Sequence, residues 1–370
     1  MNEKKCIYHY THPIEENAIG SGVRPYMMLN AFKSIGYDVE EISGYGKERK
    51  KKIKELINKI KNGERYDFLY SESLTEPTLL SEKKHFPLHP LIDLKLFKCC
   101  KRNAIPIGLF YRDIYWKYDL YKKTVPLYKR CITIPLYRLD LIIYNKFLNV
   151  LFCPTKEFSD IINVNIDKIV LPPGCVPNKD VIEQKKLKKN NDKKLSIFYV
   201  GSIVGIYNIR KLIEAVKLCK DVFLIICTPE EQWVEKSSEF ADIICDRVSV
   251  IHKRSRELGR YYQDSDVSIH CIESEPYYNI ASPIKCKETI GYGTPIIVSS
   301  NLCVADEIVT NGYGWKVKND VSDLVNLFSY LRDNPEEIMK KTKKTIDAIP
   351  LNSWEKRAEL AASSLLKHKK

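Results

Sequence analysis

What the sequence lacks already removes several classes of protein. No apolar run reaches the ~18 residues that a membrane-crossing helix needs, so the chain is expected to lie on a membrane at most. No CxxC pair occurs, which leaves structural zinc without its usual ligand spacing. Neither a Walker A loop nor a serine-histidine-acid series presents itself, so kinase and hydrolase chemistry have no foothold. The N-terminus does not read as a secretory signal peptide either. The twelve cysteines, placed in apolar runs such as Phe152-Cys153-Pro154 and Ile226-Cys227-Thr228, are therefore expected to be mostly buried small hydrophobes in a cytoplasmic protein.

What is present describes a folded chain. It has 370 residues, 44% hydrophobic, 11% aromatic and 29% charged, with a net charge of +13. At about 100–200 residues per domain this length suggests two domains, each able to bury its own core. The charge is uneven. Residues 115–150 hold seven basic and two acidic side chains, and residues 181–194 hold six and two.

Short apolar runs alternate with helical patterns along most of the chain. Lys5–Tyr10 reads as a strand, followed by the loop Gly20-Ser21-Gly22, a helix from Arg24 to Ile35 and a strand at Gly36–Val39. A charged helix near 47–62 and strands at Tyr66–Tyr70 and Ile105–Phe110 continue the series. After the Lys-rich stretch Lys185–Lys194 a second series begins at Leu195–Val200 and runs to Thr294–Val298. Such alternation predicts parallel sheets covered by helices on both faces. The expected division is an N-terminal Rossmann-like domain over 1–175, a linker over 176–194, a second domain over 195–345 and a C-terminal helix within 346–370 that packs back on the first. Two such halves facing one another imply a cleft at the carboxyl ends of their strands.

The most informative segment is Ser282-Pro283-Ile284-Lys285-Cys286-Lys287-Glu288, which continues through Gly293 and Pro295. It predicts a helix with Ser282 as N-cap and Pro283 in the first turn, its free N–H groups open to an anion. Lys285 and Glu288, three apart, share one face, a pairing that suits a phosphate and a vicinal diol. An ordinary surface ion pair on a capped helix uses the same residues. The segment resembles the donor-site helix of family-4 glycosyltransferases of the GT-B fold, SPxKxxE followed by GxPVI. That resemblance implies a lysine on the donor's phosphates, Lys285, and a glutamate on the nucleotide ribose, Glu288. The first glutamate of the family's longer motif is replaced by Ile280, with Glu273 and Glu275 upstream.

The resemblance extends over about 195–318. Tyr199-Val200-Gly201-Ser202 with Leu212–Ala215 looks like the opening strand, glycine turn and helix of the nucleotide domain, and Asp264-Ser265-Asp266 precedes a strand as in relatives. The same three residues also spell a metal-binding DxD, but one placed before a strand rather than after it. Where many members carry an Arg and a Lys that grip the diphosphate, this chain has Ser202 and Tyr207. Hydroxyls, backbone N–H groups of the Gly201 turn and Lys285 are then left to bind it. Tyr207 either stacks on a base or sugar or simply packs at a helix start.

In the N-terminal half, Gly20 and Gly22 sit where such enzymes place a glycine loop facing the donor, and Arg24 is expected to supply positive charge there. Arg112 and Asp113 end an apolar strand, the usual place for site residues in a parallel sheet. Relatives often have His-Asp at this point, which makes Asp113 the first candidate to touch the reacting sugar, with Arg112 beside it. A strand-terminating ion pair is the plainer reading of the two. His9, His12, Glu15, Glu16 and Glu72 are weaker candidates.

Glycosyl transfer develops negative charge on the departing phosphate, so it needs cations and N–H donors more than a strong nucleophile. The resemblance implies a nucleotide-sugar donor (UDP-, GDP- or dTDP-sugar), no required cofactor or metal, and retention of anomeric configuration. The basic aromatic segment 115–150 suits an anionic membrane surface, at about 1 kcal/mol per basic residue near it. An acceptor glycan carried on a lipid at the inner face of the membrane, in surface-polysaccharide synthesis, fits that segment. No nucleic-acid-binding motif accompanies it. A nucleotide-sugar epimerase of the same fold and a non-catalytic membrane-associated protein remain alternative readings.

Overall fold

A computed structural model of the chain describes residues 4–16, 20–187, 193–254 and 257–369. Ile19 of the glycine loop and 188–192 of the Lys-rich stretch lie outside the described residues. The chain divides into two compact units, 1–173 with 354–370, and 174–353.

The first unit is built on six parallel strands, β1 Lys5–Tyr10, β2 Asp38–Ile42, β3 Phe68–Glu72, β4 Ile107–Phe110, β5 Val150–Cys153 and β6 Asp167–Val170. Their order is β2-β1-β3-β4-β5-β6. Parallel neighbours require crossover connections, and here helices supply them and cover the sheet faces. All five residues of β3 are buried as a result. The helix Gly46–Lys61 shows how sequence period becomes packing: Ile53, Leu56 and Ile60 are buried, while the lysines between them face water.

The second unit holds β7 Leu195–Val200, β8 Val222–Cys227, β9 Val248–Ile251, β10 Val267–His270, β11 Ile296–Ser299 and β12 Gly314–Val317, all parallel, in the order β12-β11-β10-β7-β8-β9. This is the doubly wound arrangement, with its switch point between β7 and β10. One apolar cluster runs from Leu195 and Ile197 of β7 through Leu224 of β8 to Leu324 and Phe328 of the helix Val321–Asp333. Eight of the twelve cysteines are buried in the two units.

The boundaries differ from those read in the sequence. Residues 176–194 are not merely a polar linker, because Lys179–Leu187 is a helix that buries Val181, Ile182 and the stem of Lys185 in the second unit. The Lys-rich composition hid this, since a long lysine stem covers apolar surface while its ammonium finds a polar partner. The helix Pro335–Asp347 and the short turn to Asn352 stay with the second unit, and only the chain from Trp354 onward joins the first. There the helix Trp354–Leu366 buries Trp354, Ala358, Ala361 and Leu365. Gly108 of β4 permits this contact, because a Cβ at that position would lie 2.8 Å from Leu365 and 2.6 Å from Phe152. Among the described residues no helix is long and apolar enough to cross a membrane.

Candidate functional site

In the second unit the candidate residues gather at the carboxyl ends of β7 and β10. From His270 at the end of β10 the chain passes Glu273 and goes on to the helix Ile284–Gly291. Cys286, Lys287, Thr289 and Ile290 face inward, which leaves Lys285 and Glu288 half-buried on the opposite face. Lys285 Nζ lies 2.8 Å from Glu288 Oε2. The far end of the helix is pressed against the backbone: a Cβ on Gly291 would lie 2.2 Å from the Val176 carbonyl oxygen. The expected cap is not made. Pro283, with φ −62° and ψ 128°, occupies the N-cap position, and no side chain bonds the first turn. The proline's extended backbone moves the helix start one residue on and puts Ser282 outside it.

The turn after β7 accounts for most of its own N–H groups. Gly201 N–H donates to Cys227 O at 3.0 Å, Ile203 N–H to Gln232 Oε1 at 3.1 Å and Val204 N–H to Ser202 Oγ at 3.3 Å. The Ser202 hydroxyl donates to Gln232 Oε1 at 2.9 Å. The Ser202 N–H makes none of these bonds. Tyr207 lies at the end of the next turn with its ring 6.2 Å from His270 and 6.1 Å from Tyr278, packed against the cluster of Ile272 and Ile296. His270 is buried, and burial together with the charge of Lys285 lowers its pKa to about 4. It is therefore a neutral ring at pH 7.

Lys211 and Asn319 went unremarked in the sequence. Lys211 Nζ reaches Glu273 Oε1 at 2.8 Å, tying the helix Arg210–Leu218 to the loop after β10, and Asn319 Nδ2 donates to the same oxygen at 3.2 Å. Glu273 is thus held by one cation and one amide of its own unit. Asp266 accepts the Ser196 N–H at 2.8 Å and is buried at the other end of the strand. Among the described residues no cluster of three His, Cys, Asp or Glu side chains is arranged to hold a metal.

In the first unit, Arg24 departs from expectation. Its side chain is buried, with the guanidinium 3.5 Å from the Phe110 ring, 5.7 Å from the Trp354 ring and 3.4 Å from Glu72. The apolar helix Val23–Ser34 turns this residue into the core, where stacking on aromatic faces and a buried carboxylate hold it. Glu72 is the hub of this core. Its side chain is fully buried and also accepts from Tyr8 at 3.2 Å, Tyr70 at 3.1 Å and Arg112 at 3.2 Å. Arg112 is therefore paired with Glu72 and not with its neighbour Asp113, whose Oδ1 accepts the Tyr115 N–H at 2.6 Å. Gly20 has φ +57° and open space around it, while Gly22 has an ordinary helical backbone.

The tertiary fold also assembles a serine-histidine-acid chain that the sequence does not display. His9 Nδ1 is 2.8 Å from Ser71 Oγ, and His9 Nε2 is 2.9 Å from Asp93 Oδ1. Arg49 holds the same carboxylate through Nε at 2.7 Å and Nη2 at 3.2 Å. Burial raises the pKa of Asp93, but His9 and Arg49 outweigh it and bring the group down to about 2. With Ser71 only 1% and His9 2% exposed, no substrate reaches this chain; it is a core network.

The basic segment is only partly a surface. Trp116, Tyr121 and Tyr137 turn inward, with Trp116 and Tyr137 stacked at 5.3 Å. Burial of large aromatic area outcompetes display at an interface. Leu127 and Tyr128, each 67% exposed, and Ile132, 58% exposed, remain outside on the helix Leu127–Phe147, near the exposed Lys122, Lys123 and Lys129.

Residues 180–348 match the family described as Glycosyl transferases group 1. No curated protein matches the chain by sequence. Among solved structures, a glycosyltransferase from Rickettsia africae is similar at 13% identity and a TM-score of 0.66, with 100% of both chains covered. The Anabaena protein Alr3699/HepE in complex with UDP is similar at 10% identity and 0.64, over 98% of this chain and 100% of that one. Sucrose-phosphate synthase from Thermosynechococcus elongatus follows at 13% and 0.61, over 98% of each. The chain thus carries a group 1 glycosyl transferase domain over residues 180–348, and its two parallel sheets have the GT-B fold of these solved structures.

Proposed function

We propose that the chain moves a sugar from a UDP-sugar to a hydroxyl of a lipid-linked glycan, with retention, at the inner face of a membrane. The observation that carries the donor half is the half-buried Lys285–Glu288 pair on the helix that follows β10, the strand paired with β7, whose carboxyl end runs into the Gly201-Ser202 turn. An ammonium and backbone N–H donors suit a diphosphate, and a carboxylate three residues on suits the ribose diol. UDP and UDP-glucose are the ligands in the HepE complexes, which makes uridine the first base to test. Tyr207, held by His270 and Tyr278, offers a ring edge at the same place.

In the reaction, the bond from the anomeric carbon to the phosphate oxygen breaks and its electron pair leaves with the diphosphate. The acceptor oxygen forms the new bond and gives up its proton to the departing phosphate oxygen. Lys285 and the Ser202 N–H stabilise the charge on the departing phosphate, and Asp113 is the carboxylate proposed to meet the sugar. Arg24 and Glu72 serve the first unit as a buried scaffold that aims Arg112. Support for the lipid-linked acceptor is the exposed Leu127, Tyr128 and Ile132 beside Lys122, Lys123 and Lys129.

The deciding experiment is a thermal-shift screen of UDP-, GDP-, dTDP- and CMP-sugars, followed by calorimetry of the best binder on wild type and Lys285→Ala. UDP-sugars should stabilise most, and Lys285→Ala should lose most of that binding. Unchanged affinity in the variant removes the donor assignment. Free nucleotide released only when acceptor is present separates transfer from epimerisation.

A further inference from the structure

The helix that carries Glu288 ends on an aromatic stack. Tyr292, its C-cap residue, stands one helical turn beyond Glu288 and lies against Tyr262, with ring centroids 4.0 Å apart and planes 11° from parallel. Tyr262 belongs to the short helix Gly259–Asp264 and also packs edge-on against Phe198 of β7, at 4.8 Å. These two ring contacts hold the phenol in place.

Its hydroxyl, however, is left unmet. Tyr262 is fully buried, and the hydroxyl has no hydrogen-bond partner among the described residues. Buried polar groups are nearly always bonded, and one that is not costs folding free energy. A phenylalanine would fill the same space without that cost. Burial, and after it the charge of Glu288, raises the pKa of this hydroxyl well above the ordinary phenol value, with further contributions from Tyr292, Cys227 and Cys286. Those three are neutral groups. Burial pushes Tyr292 and Cys286 up to about 12, and it raises Cys227, whose Sγ donates to the Lys253 carbonyl at 3.4 Å. Glu288 is the anion among these neighbours, and its Oε2 is bonded to Lys285 Nζ at 2.8 Å.

We propose that Tyr262 is a positioning residue for Glu288: once a donor's phosphate draws Lys285 away, the phenol hydroxyl donates to the carboxylate and holds it toward the ribose diol. The bond withheld while Lys285 and Glu288 are paired is made when they part. This inference rests on the donor reading above and names the group that succeeds Lys285 as the partner of Glu288.

The test is calorimetry of UDP on the full chain as wild type, Lys285→Ala, Tyr262→Phe, Glu288→Ala and the Tyr262→Phe/Glu288→Ala double variant, with urea unfolding of each in the absence of ligand. Tyr262→Phe should weaken UDP about tenfold or more, the worth of one hydrogen bond to a charged group. It should weaken UDP no further in the Glu288→Ala background, and it should leave the unliganded chain at least as stable as wild type. Wild-type affinity in Lys285→Ala removes the donor reading and this inference with it. Where Lys285→Ala has lost UDP, unchanged affinity in Tyr262→Phe overturns the positioning role alone. So does an equal loss with and without Glu288, or a drop in urea stability of Tyr262→Phe, since either would mean that the hydroxyl serves the fold.

Discussion

Lys285 and Glu288 are bonded to each other at 2.8 Å, although each is the residue expected to hold a different part of the donor. A ligand must therefore part them. On the proposed donor assignment, phosphate would take the place of Glu288 beside Lys285, and the ribose diol that of Lys285 beside Glu288. Each contact to a charged group is worth about 1.5–3 kcal/mol, so either alanine variant should weaken UDP about ten- to a hundredfold in calorimetry. The double variant should lose less than the two losses combined, because each single change also frees the partner from its ion pair. Strict additivity would mean the pair does not act on one ligand.

Glu72 sets the stability of the first unit's site edge. Glu72→Ala leaves the buried Arg24 and Arg112 without their carboxylate and should cost about 3–5 kcal/mol in urea unfolding. Glu72→Gln keeps the hydrogen bonds from Tyr8 and Tyr70 and should cost clearly less. Equal losses for the two would show that charge on Glu72 is irrelevant to the core.

Asp140 predicts a dependence on pH. Burial raises its carboxyl to about 7, against the bond it accepts from Thr78 N–H at 2.8 Å. An unfolded aspartate titrates near ~3.9. Between these values the folded chain holds a proton that the unfolded chain has lost, so Asp140 makes stability fall as pH rises from about 4 to 7. His270, lowered to about 4, acts in the opposite sense: stability it contributes above the ordinary histidine pKa of ~6.5 is lost as pH falls toward 4. The difference between wild type and Asp140→Asn isolates the first effect. It should shift toward the variant with rising pH across this window in urea titrations, and a pH-independent difference would exclude a buried, protonated Asp140.

The exposed face of the helix Leu127–Phe147 predicts membrane binding with two components. Co-sedimentation with phosphatidylglycerol vesicles should fall with added salt and with charge reversal at Lys122 and Lys123. Leu127→Glu with Ile132→Glu should lower it further at fixed salt. Binding indifferent to both would leave this segment a solvated basic face.

Much of the architecture was legible because parallel strands announce themselves. Runs such as Phe68–Tyr70 and Ile197–Val200 are apolar at every position, as burial on both faces demands, and glycine turns punctuate them. The Lys285–Glu288 pair was legible for a related reason: i and i+3 on a helix share a face whatever the rest of the fold does. The helix Lys179–Leu187 was not, because its lysines masked a short buried stripe at Val181 and Ile182.

By itself, then, the sequence determined the alternating elements, the two sheets and the local pair on the helix after β10, all of which depend on neighbours a few residues apart. Only the tertiary structure decided that Arg24 is a core residue, that Arg112 pairs with Glu72 across 40 positions, and that His9 joins Ser71 and Asp93 across 62 and 84. Those partners meet because β2 lies outside β1, so that β1, β3 and β4 lie side by side, with helices bringing further side chains onto the sheet. Adjacency of that kind arises from strand order and packing, and no local spacing encodes it.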